Sequence, residues 1–279
     1  MPRRSKLQNL ALILIILIGI SPIVYFTAVE IGAAEASQNN PEVDGNADPL
    51  DRYVENLSFG VGEHLKFDVK YGFITAGTAT MSVERVIEYE NRPCYLITSL
   101  AQSNSFFSTF YKVDDRVETI VDAIGHFTWR FEKNLNEGKY HAQRLIEFDQ
   151  RNKIAYYKRD TAEVPLYVQD ALSVFYYVRT QPLEVGQSIF VDHYNDGKLY
   201  NLEVKVLEKE TITVAAGTFE CFVVEPLLKS VGVFKHEGHL KVWLTDDRLR
   251  LPVLMKSKVL VGSISAELTD YKLGEIEVY

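Results

Sequence analysis

Apolar and polar residues alternate along most of the chain after residue 63. The first such segment, HLKFDVKY at residues 64–71, places an apolar side chain at every second position. Because successive side chains of a strand point to opposite faces, this period predicts a strand with one buried face. The same pattern predicts further strands at residues 77–87, 94–102, 116–123, 127–134, 140–148, 153–158, 188–194, 199–208, 220–228, 240–245, 253–261 and 263–271.

Short turns connect these predicted strands. The sequence Asn195-Asp196-Gly197-Lys198 is typical of a tight hairpin, and Asp246-Asp247-Arg248 predicts a turn before Pro252. Strands joined by short turns, without alternating helices, indicate an antiparallel arrangement. We therefore expect an all-β, mainly antiparallel fold: a curved sheet, barrel or half-barrel with one short helix packed on it.

The predicted helix covers residues 169–179. Asp170 is a suitable N-cap, and the side chains that share one face at helical spacing include Leu172 and Tyr176. Arg179 lies in the last turn, where the helix dipole favours a cation, so we expect a structural role for it. A lone amphipathic helix of this kind packs on a concave sheet or closes one end of a barrel. Residues 105–111 predict a further short helical turn.

The N-terminal residues 1–36 have the layout of a secretory signal peptide. Basic residues precede an apolar run at 10–20, and Ala34-Glu35-Ala36 fits a cleavage site. The alternative is an uncleaved anchor, since the run 10–28 approaches the length that spans a bilayer. Either reading places the rest of the chain outside the cytoplasm, in the periplasm or cell envelope.

The polar residues 37–52 predict a flexible linker, because they include two prolines and few apolar side chains. Residues 53–279 are then expected to form a single β domain. Hydrophobic residues are 47% of the chain, which is enough for a buried core, and Tyr and Phe are abundant, at 16 and 15 residues.

Net charge limits the possible partners. The whole chain has a formal charge of −8, and removing residues 1–36 makes it more acidic. A strongly acidic chain argues against nucleic acid and against an electrostatic grip on an anionic membrane, because both require a basic patch. On this reading, the membrane is contacted only through an uncleaved N-terminal segment.

Cys94 and Cys221 are the two cysteines of the chain. In an exported protein they can form one bridge, but each also lies in an apolar run typical of a buried thiol. The sequence leaves both readings open, because it does not show the distance between the two Cα atoms.

Motifs with a known catalytic mechanism are missing from the sequence. It contains no G-x-S-x-G, no P-loop and no G-x-G-x-x-G, so we assign no catalytic residue and no cofactor. The segment KHEGHLK at 235–241 places two histidines around a glutamate. His236 and His239 are three apart at the start of a predicted strand, where they point to opposite faces, so we expect no metal site.

Four segments together resemble the DUF3108 family of exported bacterial proteins: FGVGEHLKFDVKYGFITAGTATMSV at 59–83, DALSVFYYVR at 170–179, VAAGTFECFVV at 214–224 and LKVWLTDDRLRLPV at 240–253. The resemblance implies an envelope protein with no catalytic residue to transfer. The positions singled out are expected to be structural, in turns, caps and strand packing; they are Gly72, Gly77, Asp170, Arg179, Gly217, Trp243, Asp247 and Pro252.

A binding role follows from the expected shape. A curved sheet rich in Tyr and Phe can hold an apolar, lipid-like or glycan ligand in its mouth or hollow. The alternative is a scaffold that is filled by its own side chains and binds an envelope protein by a loop or sheet edge. A hydrolase is the least favoured class, since no mechanism-bearing motif supports it.

Overall fold

The computed structural model describes residues 48–229, 240–258, 262–277 and 279. Within these residues, one antiparallel sheet of 14 strands accounts for most of the chain. The strands are β1 His64–Tyr71, β2 Ile74–Tyr89, β3 Arg92–Ser103, β4 Asp114–Asp122, β5 Thr128–Glu137, β6 Tyr140–Asp149, β7 Ile154–Tyr157, β8 Asp160–Glu163, β9 Ser188–Asn195, β10 Lys198–Val214, β11 Gly217–Lys229, β12 Leu240–Thr245, β13 Pro252–Lys258 and β14 Ser263–Lys272.

Strands that are consecutive in sequence pair as hairpins in two series. The first runs from β1 to β8 and the second from β9 to β14, and β14 pairs with β1 to join them. The result is an open curved sheet whose edges are β8 and β9. The expected all-β, mainly antiparallel curved sheet is confirmed. Two short helices accompany it, α1 Ser105–Ser108 and α2 Ala171–Thr180.

Helix α2 occupies the concave side of the sheet. Its buried side chains Leu172, Val174, Tyr176 and Val178 belong to the same apolar core as the inward residues of both strand series. The inward positions of β1 show how the sequence builds this core, because the alternation in HLKFDVKY buries each second side chain. Helix α2 therefore packs into the apolar core on the side where the sequence predicted a hollow.

The turn between β9 and β10 holds the second strand series against the first. Asp196 and Gly197 have φ angles of 49° and 85°, which fits the two-residue hairpin predicted there. Lys133 Nζ on β5 donates to Asp196 Oδ1 at 3.1 Å, and Arg144 Nη1 on β6 lies 2.8 Å from Asp196 Oδ2. Lys133 is fully buried, and burial lowers the pKa of its ammonium while the Asp196 carboxylate opposes that shift.

Two smaller apolar clusters contain the cysteines. Cys94 packs with Phe127 and Trp129, whereas Cys221 packs with Trp243 and other side chains elsewhere in the sheet. Both thiols are free and buried. Cys94 and Cys221 therefore form no disulfide in this structure, and the prediction of two buried thiols is the correct one. Burial raises the pKa of the Cys221 thiol to about 12, which keeps it protonated and unreactive.

Several boundaries differ from those predicted. The hairpin of β10 and β11 is longer than expected, and β8 was not predicted, because its residues DTAE lack an apolar alternation. Helix α1 is shorter than the predicted turn at 105–111. The last residues of the predicted strand 253–261 lie outside the described residues.

The predicted linker, residues 37–52, ends in residues that pack on the domain. Leu50 is buried, and Arg52 donates to the carbonyl groups of Gly125 at 2.8 Å and His126 at 3.1 Å. The sequence missed these contacts because they join positions more than 70 residues apart. The predicted signal peptide at 1–36 and the linker up to residue 47 lie outside the described residues. No helix in the described part of the chain is long and apolar enough to cross a bilayer.

Candidate binding surface

Asp170 lies at the N-cap of α2 and is fully buried. Its Oδ1 accepts from the backbone N–H groups of Leu172 and Ser173, and its Oδ2 accepts from the hydroxyls of Thr119 and Thr128 at 2.6 and 2.7 Å. Burial raises the pKa of this carboxyl, and the hydrogen bonds oppose that effect. Because every oxygen is engaged by the protein, Asp170 anchors α2 to β4 and β5 and has no exposed chemistry.

Arg179 lies at the other end of α2 and is also fully buried. Its Nη1 and Nη2 donate to Glu63 Oε1 and Oε2 at 2.8 and 2.7 Å, a two-pronged ion pair. Nη2 also donates to the carbonyl oxygens of Ser58 and Leu249. The dipole argument placed Arg179 correctly in the last turn, but it did not identify Glu63, which is 116 residues earlier. Both ends of α2 are thus fixed to the sheet by buried charges.

The three singled-out glycines lie at tight positions of the backbone. Gly72 has φ +59° in the turn after β1, and Gly217 has φ +142° at the start of β11. A Cβ on Gly77 would lie 2.1 Å from the backbone oxygen of Gln102 on the neighbouring strand, which is far inside van der Waals contact. These positions shape the sheet and do not approach a ligand.

Trp243, Asp247 and Pro252 lie on β12, in the following turn and at the start of β13. Trp243 Nε1 donates to Glu210 Oε2 at 2.7 Å. Asp247 Oδ1 accepts from the backbone N–H groups of Leu249 and Arg250, which closes the turn. The eight singled-out residues are therefore spread over the fold and do not converge on one site.

A buried pair of carboxyl groups, Asp115 and Glu137, lies where β4 begins and β5 ends. Asp115 Oδ1 accepts from the backbone N–H of Asn136 at 2.7 Å, whereas Glu137 Oε1 has no hydrogen-bond partner among the described residues. Burial, followed by the nearby Asp115 charge, raises the pKa of Glu137 to about 8. The raised pKa favours the protonated form of Glu137 at neutral pH. Sequence analysis missed this pair, because the alternation of β5 does not reveal which carboxylate turns inward.

Two further buried polar groups lie around the Phe59 ring. The His126 and Tyr176 rings stand edge-on to Phe59, with ring centroids 5.6 and 4.8 Å away. Neither His126 ring nitrogen nor the Tyr176 hydroxyl has a partner among the described residues. Burial lowers the pKa of His126 to about 4, so the ring is neutral at physiological pH. Both side chains are closed off from solvent and form no accessible site.

A polar depression and the possible metal ligands among the described residues are two further candidates for a binding site. A shallow depression of about 250 Å³ over β5 and β6 is lined mainly by polar residues, among them Asn134, Asn136, His141 and Gln143. In the described ranges, His, Cys, Asp and Glu side chains form no group of three suited to a metal ion. His236 and His239 both lie outside the described residues, so the expectation for them stays a prediction.

An exposed apolar surface lies at one end of the sheet, which we call the upper rim. The upper rim comprises the described turns that follow β1, β3, β5, β7 and β9, together with the adjoining ends of β13 and β14. Because the sheet is antiparallel, these turns meet at one end of the sheet. Among the large apolar side chains exposed at this end, we call the four on and beside the turns after β1 and β3 the rim patch: Phe73, Ile74, Phe106 and Phe110.

The rim patch is formed by two segments that Asn104 joins. Phe106 and Phe110, with 65% and 59% of their surface exposed, have ring centroids 5.5 Å apart on and just after α1. Phe73 is fully exposed in the turn after β1. Asn104 joins the two segments: its Oδ1 accepts from the Phe107 N–H at 2.9 Å, and its Nδ2 donates to the Thr75 carbonyl at 2.7 Å.

Exposed basic side chains outnumber exposed acidic ones on the described part of the upper rim. On the described turns of the upper rim and the strand ends beside them, the exposed acids are Asp114 and Asp160. The exposed cations there are more numerous: Lys112, Lys139, Lys158, Arg159, Lys198 and Lys258. The described part of the upper rim is therefore locally basic, although the net charge of the whole chain is acidic.

Comparisons with known proteins extend these observations. A family model described as "Protein of unknown function (DUF3108)" matches residues 66–269. No curated protein matches the sequence. A beta-barrel-like protein of domain of unknown function DUF1849 from Brucella abortus is similar in structure, with a TM-score of 0.52 and 10% identity, over 78% of this chain and 100% of that chain. At this identity, the likeness shows the fold alone.

A second solved structure is less similar. It is a protein with a YmcC-like fold from Bacteroides fragilis, with a TM-score of 0.37 and 12% identity, over 79% of this chain and 99% of that chain. A TM-score this low adds nothing to the argument. The assignment of a binding surface therefore depends on the geometry of this chain.

Proposed function

The chain belongs to the DUF3108 family, and we propose that it is an exported binding module of the cell envelope that contacts an apolar or lipid-like partner through the rim patch. The exported location is inferred from the basic and apolar residues of the N-terminal segment 1–36. One observation supports the binding role most directly. The concave side is occupied by α2, whereas four large apolar side chains are exposed together at the upper rim.

The sequence analysis expected a ligand in the hollow of the sheet, whereas this proposal places the partner at the upper rim. A ligand inside the sheet would have to displace α2, which is fixed at Asp170 and Arg179 by buried hydrogen bonds. Breaking such contacts leaves buried charges without partners, which costs several kcal/mol. Contact at the rim requires no such change, because the rim patch is already exposed. Exposed apolar patches of this kind mark interaction sites.

Site-specific photocrosslinking in the host tests the proposal. A photoreactive phenylalanine analogue replaces Phe106 in the full chain, and the same analogue at Val185, an exposed apolar residue at the opposite end of the sheet, is the matched control. We expect adducts with lipid or with one recurrent protein from position 106, and their loss when Phe110 is replaced by Ser.

The result also separates the possible partners. A recurrent protein adduct that depends on Phe110 supports the scaffold form of the binding role, and a lipid adduct supports the lipid-like form. Equal labelling from positions 106 and 185, or no labelling from 106, would overturn the rim as the binding surface.

A further inference from the structure

We propose that the rim patch docks on the surface of an anionic lipid bilayer. The inference rests on the proposed function, because it names the class of partner that the rim patch contacts. It departs from the expectation drawn from net charge, which argued against an electrostatic grip on an anionic membrane.

The apolar side chains are placed for shallow insertion. Phe73 is at the tip of the hairpin formed by β1 and β2, beyond the last paired residues. Phe106 and Phe110 are four residues apart, so they lie on the same side of a helical turn. Phenylalanine and isoleucine side chains have no hydrogen-bonding atom. Their entry into the boundary between headgroups and acyl chains therefore leaves no polar group unsatisfied.

The surrounding charges match anionic headgroups. Lys112 and Lys139 flank α1, and Lys258 pairs with Ser263 next to the hairpin that bears Phe73. All three lysines are exposed, and the contact of Lys112 with Asp114 at 4.0 Å is a weak surface pair. A basic ring around an apolar centre attracts anionic lipids while the centre enters the membrane.

A lipid surface fits the rim patch better than a protein does. Protein interfaces are enriched in aromatic residues, Met and Arg but depleted in lysine, and a stable one buries roughly 800 Å² on each partner. The rim patch has Phe and Ile at the ends of turns, with lysines around them. Narrow apolar tips with a basic border can enter a fluid surface without a complementary pocket.

The first described residues lie at the end of the sheet opposite the rim patch. Arg52 is held at the opposite end of the sheet by the carbonyl groups of Gly125 and His126. Strand β2 has 16 residues and connects the two ends. At about 3.3 Å per residue this corresponds to roughly 50 Å. Arg52 therefore lies far from the rim patch, and the proposed contact with lipid is made by the rim residues themselves.

A fluorescent probe on the upper rim tests this docking. Ser105, exposed on α1, is replaced by Cys in the full chain and labelled with an environment-sensitive dye, while the buried Cys94 and Cys221 stay unlabelled. Glu184→Cys, exposed at the opposite end of the sheet, is the matched label position. The probes are vesicles of equal parts phosphatidylglycerol and phosphatidylcholine, and vesicles of phosphatidylcholine alone.

We expect a blue shift of the dye at position 105 with the anionic vesicles, a weaker shift with neutral vesicles, and no shift at position 184. Replacing Phe106 and Phe110 by Ser should weaken the apparent affinity by about tenfold or more, because two buried aromatic contacts are lost. Replacing Lys112 and Lys139 by Glu should remove the preference for anionic vesicles. Val185→Ser, the matched change at the opposite end of the sheet, should change neither result.

Failure of this inference is distinct from failure of the proposed function. Bilayer docking is overturned if the dye at position 105 does not respond to anionic vesicles, or if the double Phe variant responds as strongly as the parent. Crosslinking from Phe106 to one recurrent protein, together with such a null result, would leave the rim as a binding surface for a protein partner.

Discussion

Asn104 Nδ2 donates a hydrogen bond to the carbonyl oxygen of Thr75 at 2.7 Å, which joins α1 to the start of β2. The same side chain caps α1 through its Oδ1. One residue therefore sets the position of Phe106 relative to Phe73, although the two lie 33 positions apart in the sequence. The backbone N–H of Asn104 also donates to the carbonyl oxygen of Ala76 at 2.9 Å, so the side chain adds to a backbone link between the two segments.

Asn104→Ala should loosen the two halves of the rim patch relative to each other and leave the sheet intact, because the backbone bond from residue 104 to Ala76 remains. Loss of an N-cap side chain costs about 1 kcal/mol, and here the loss is local to α1. We expect weaker binding of anionic vesicles with little change in the urea midpoint of unfolding. Asn152→Ala, which removes an exposed turn contact to Asp149 at the opposite end of the sheet, is the control and should bind as the parent does. Unaltered binding by Asn104→Ala would show that α1 and the hairpin act separately.

Glu137→Gln should change how stability depends on pH. The Glu137 carboxyl has a pKa of about 4.3 in the unfolded chain, and burial raises that pKa to about 8 in the folded protein. Between these values the folded state holds a proton that the unfolded state has lost, so stability falls as pH rises through this window and is level above it. The variant cannot release this proton, so its melting temperature should fall less than that of the parent between about pH 5 and 8.

A matched carboxylate on the same strand provides the control. Hydrogen bonds, first from Gln143, lower the pKa of Glu132, which places its titration below this window. Glu132→Gln should therefore leave the slope between about pH 5 and 8 unchanged. Parallel dependence of the melting temperature on pH for the parent and Glu137→Gln would refute the raised pKa of Glu137.

Arg179→Met should strongly destabilise the protein, because it leaves Glu63 charged, buried and unpaired. The expected loss is about 3–5 kcal/mol in urea unfolding. The double variant Arg179→Met and Glu63→Leu should regain much of that loss, since it removes both charges. A double variant no more stable than Arg179→Met would mean that packing around α2, and not the ion pair, sets the cost.

Gly77→Ala and Gly72→Ala should differ in their cost. A Cβ at Gly77 meets the Gln102 carbonyl, so the two strands must move apart, and we expect a loss of about 3 kcal/mol. At Gly72 nothing lies within 4 Å, and the cost is that of a left-handed conformation, about 1 kcal/mol. Thermal unfolding of the two variants measures the difference, and equal losses would contradict the close strand approach.

Much of the fold could be predicted from local patterns. Alternation located most of the strands, the residues Asp196-Gly197 indicated the hairpin, and Asp170 indicated the start of α2. The filled interior could not be predicted in the same way, because Glu63 and Arg179 look like ordinary surface charges until the fold brings them together. Lys133 is similar: its strand pattern does not show that β9 and β10 cover it.

The rim patch escaped sequence analysis for a related reason. Phe73 lies in a turn and Phe106 in a short helix, and each alone is an ordinary exposed residue. Their meaning comes from the antiparallel order of the sheet, which brings the turns after β1 and β3 to the same end. The net charge argued against contact with an anionic membrane for a similar reason. A sum over the chain does not show which end of the sheet holds the lysines.

Hydrogen–deuterium exchange of the full chain, with and without vesicles made from the host's total polar lipids, tests the central claim most directly. Contact at the upper rim predicts slower exchange in the peptides covering residues 72–76 and 104–113. It predicts no change in residues 181–187 at the opposite end of the sheet or in α2. Slower or faster exchange centred on α2, with the upper rim unchanged, would contradict the account, because it would place the partner inside the sheet.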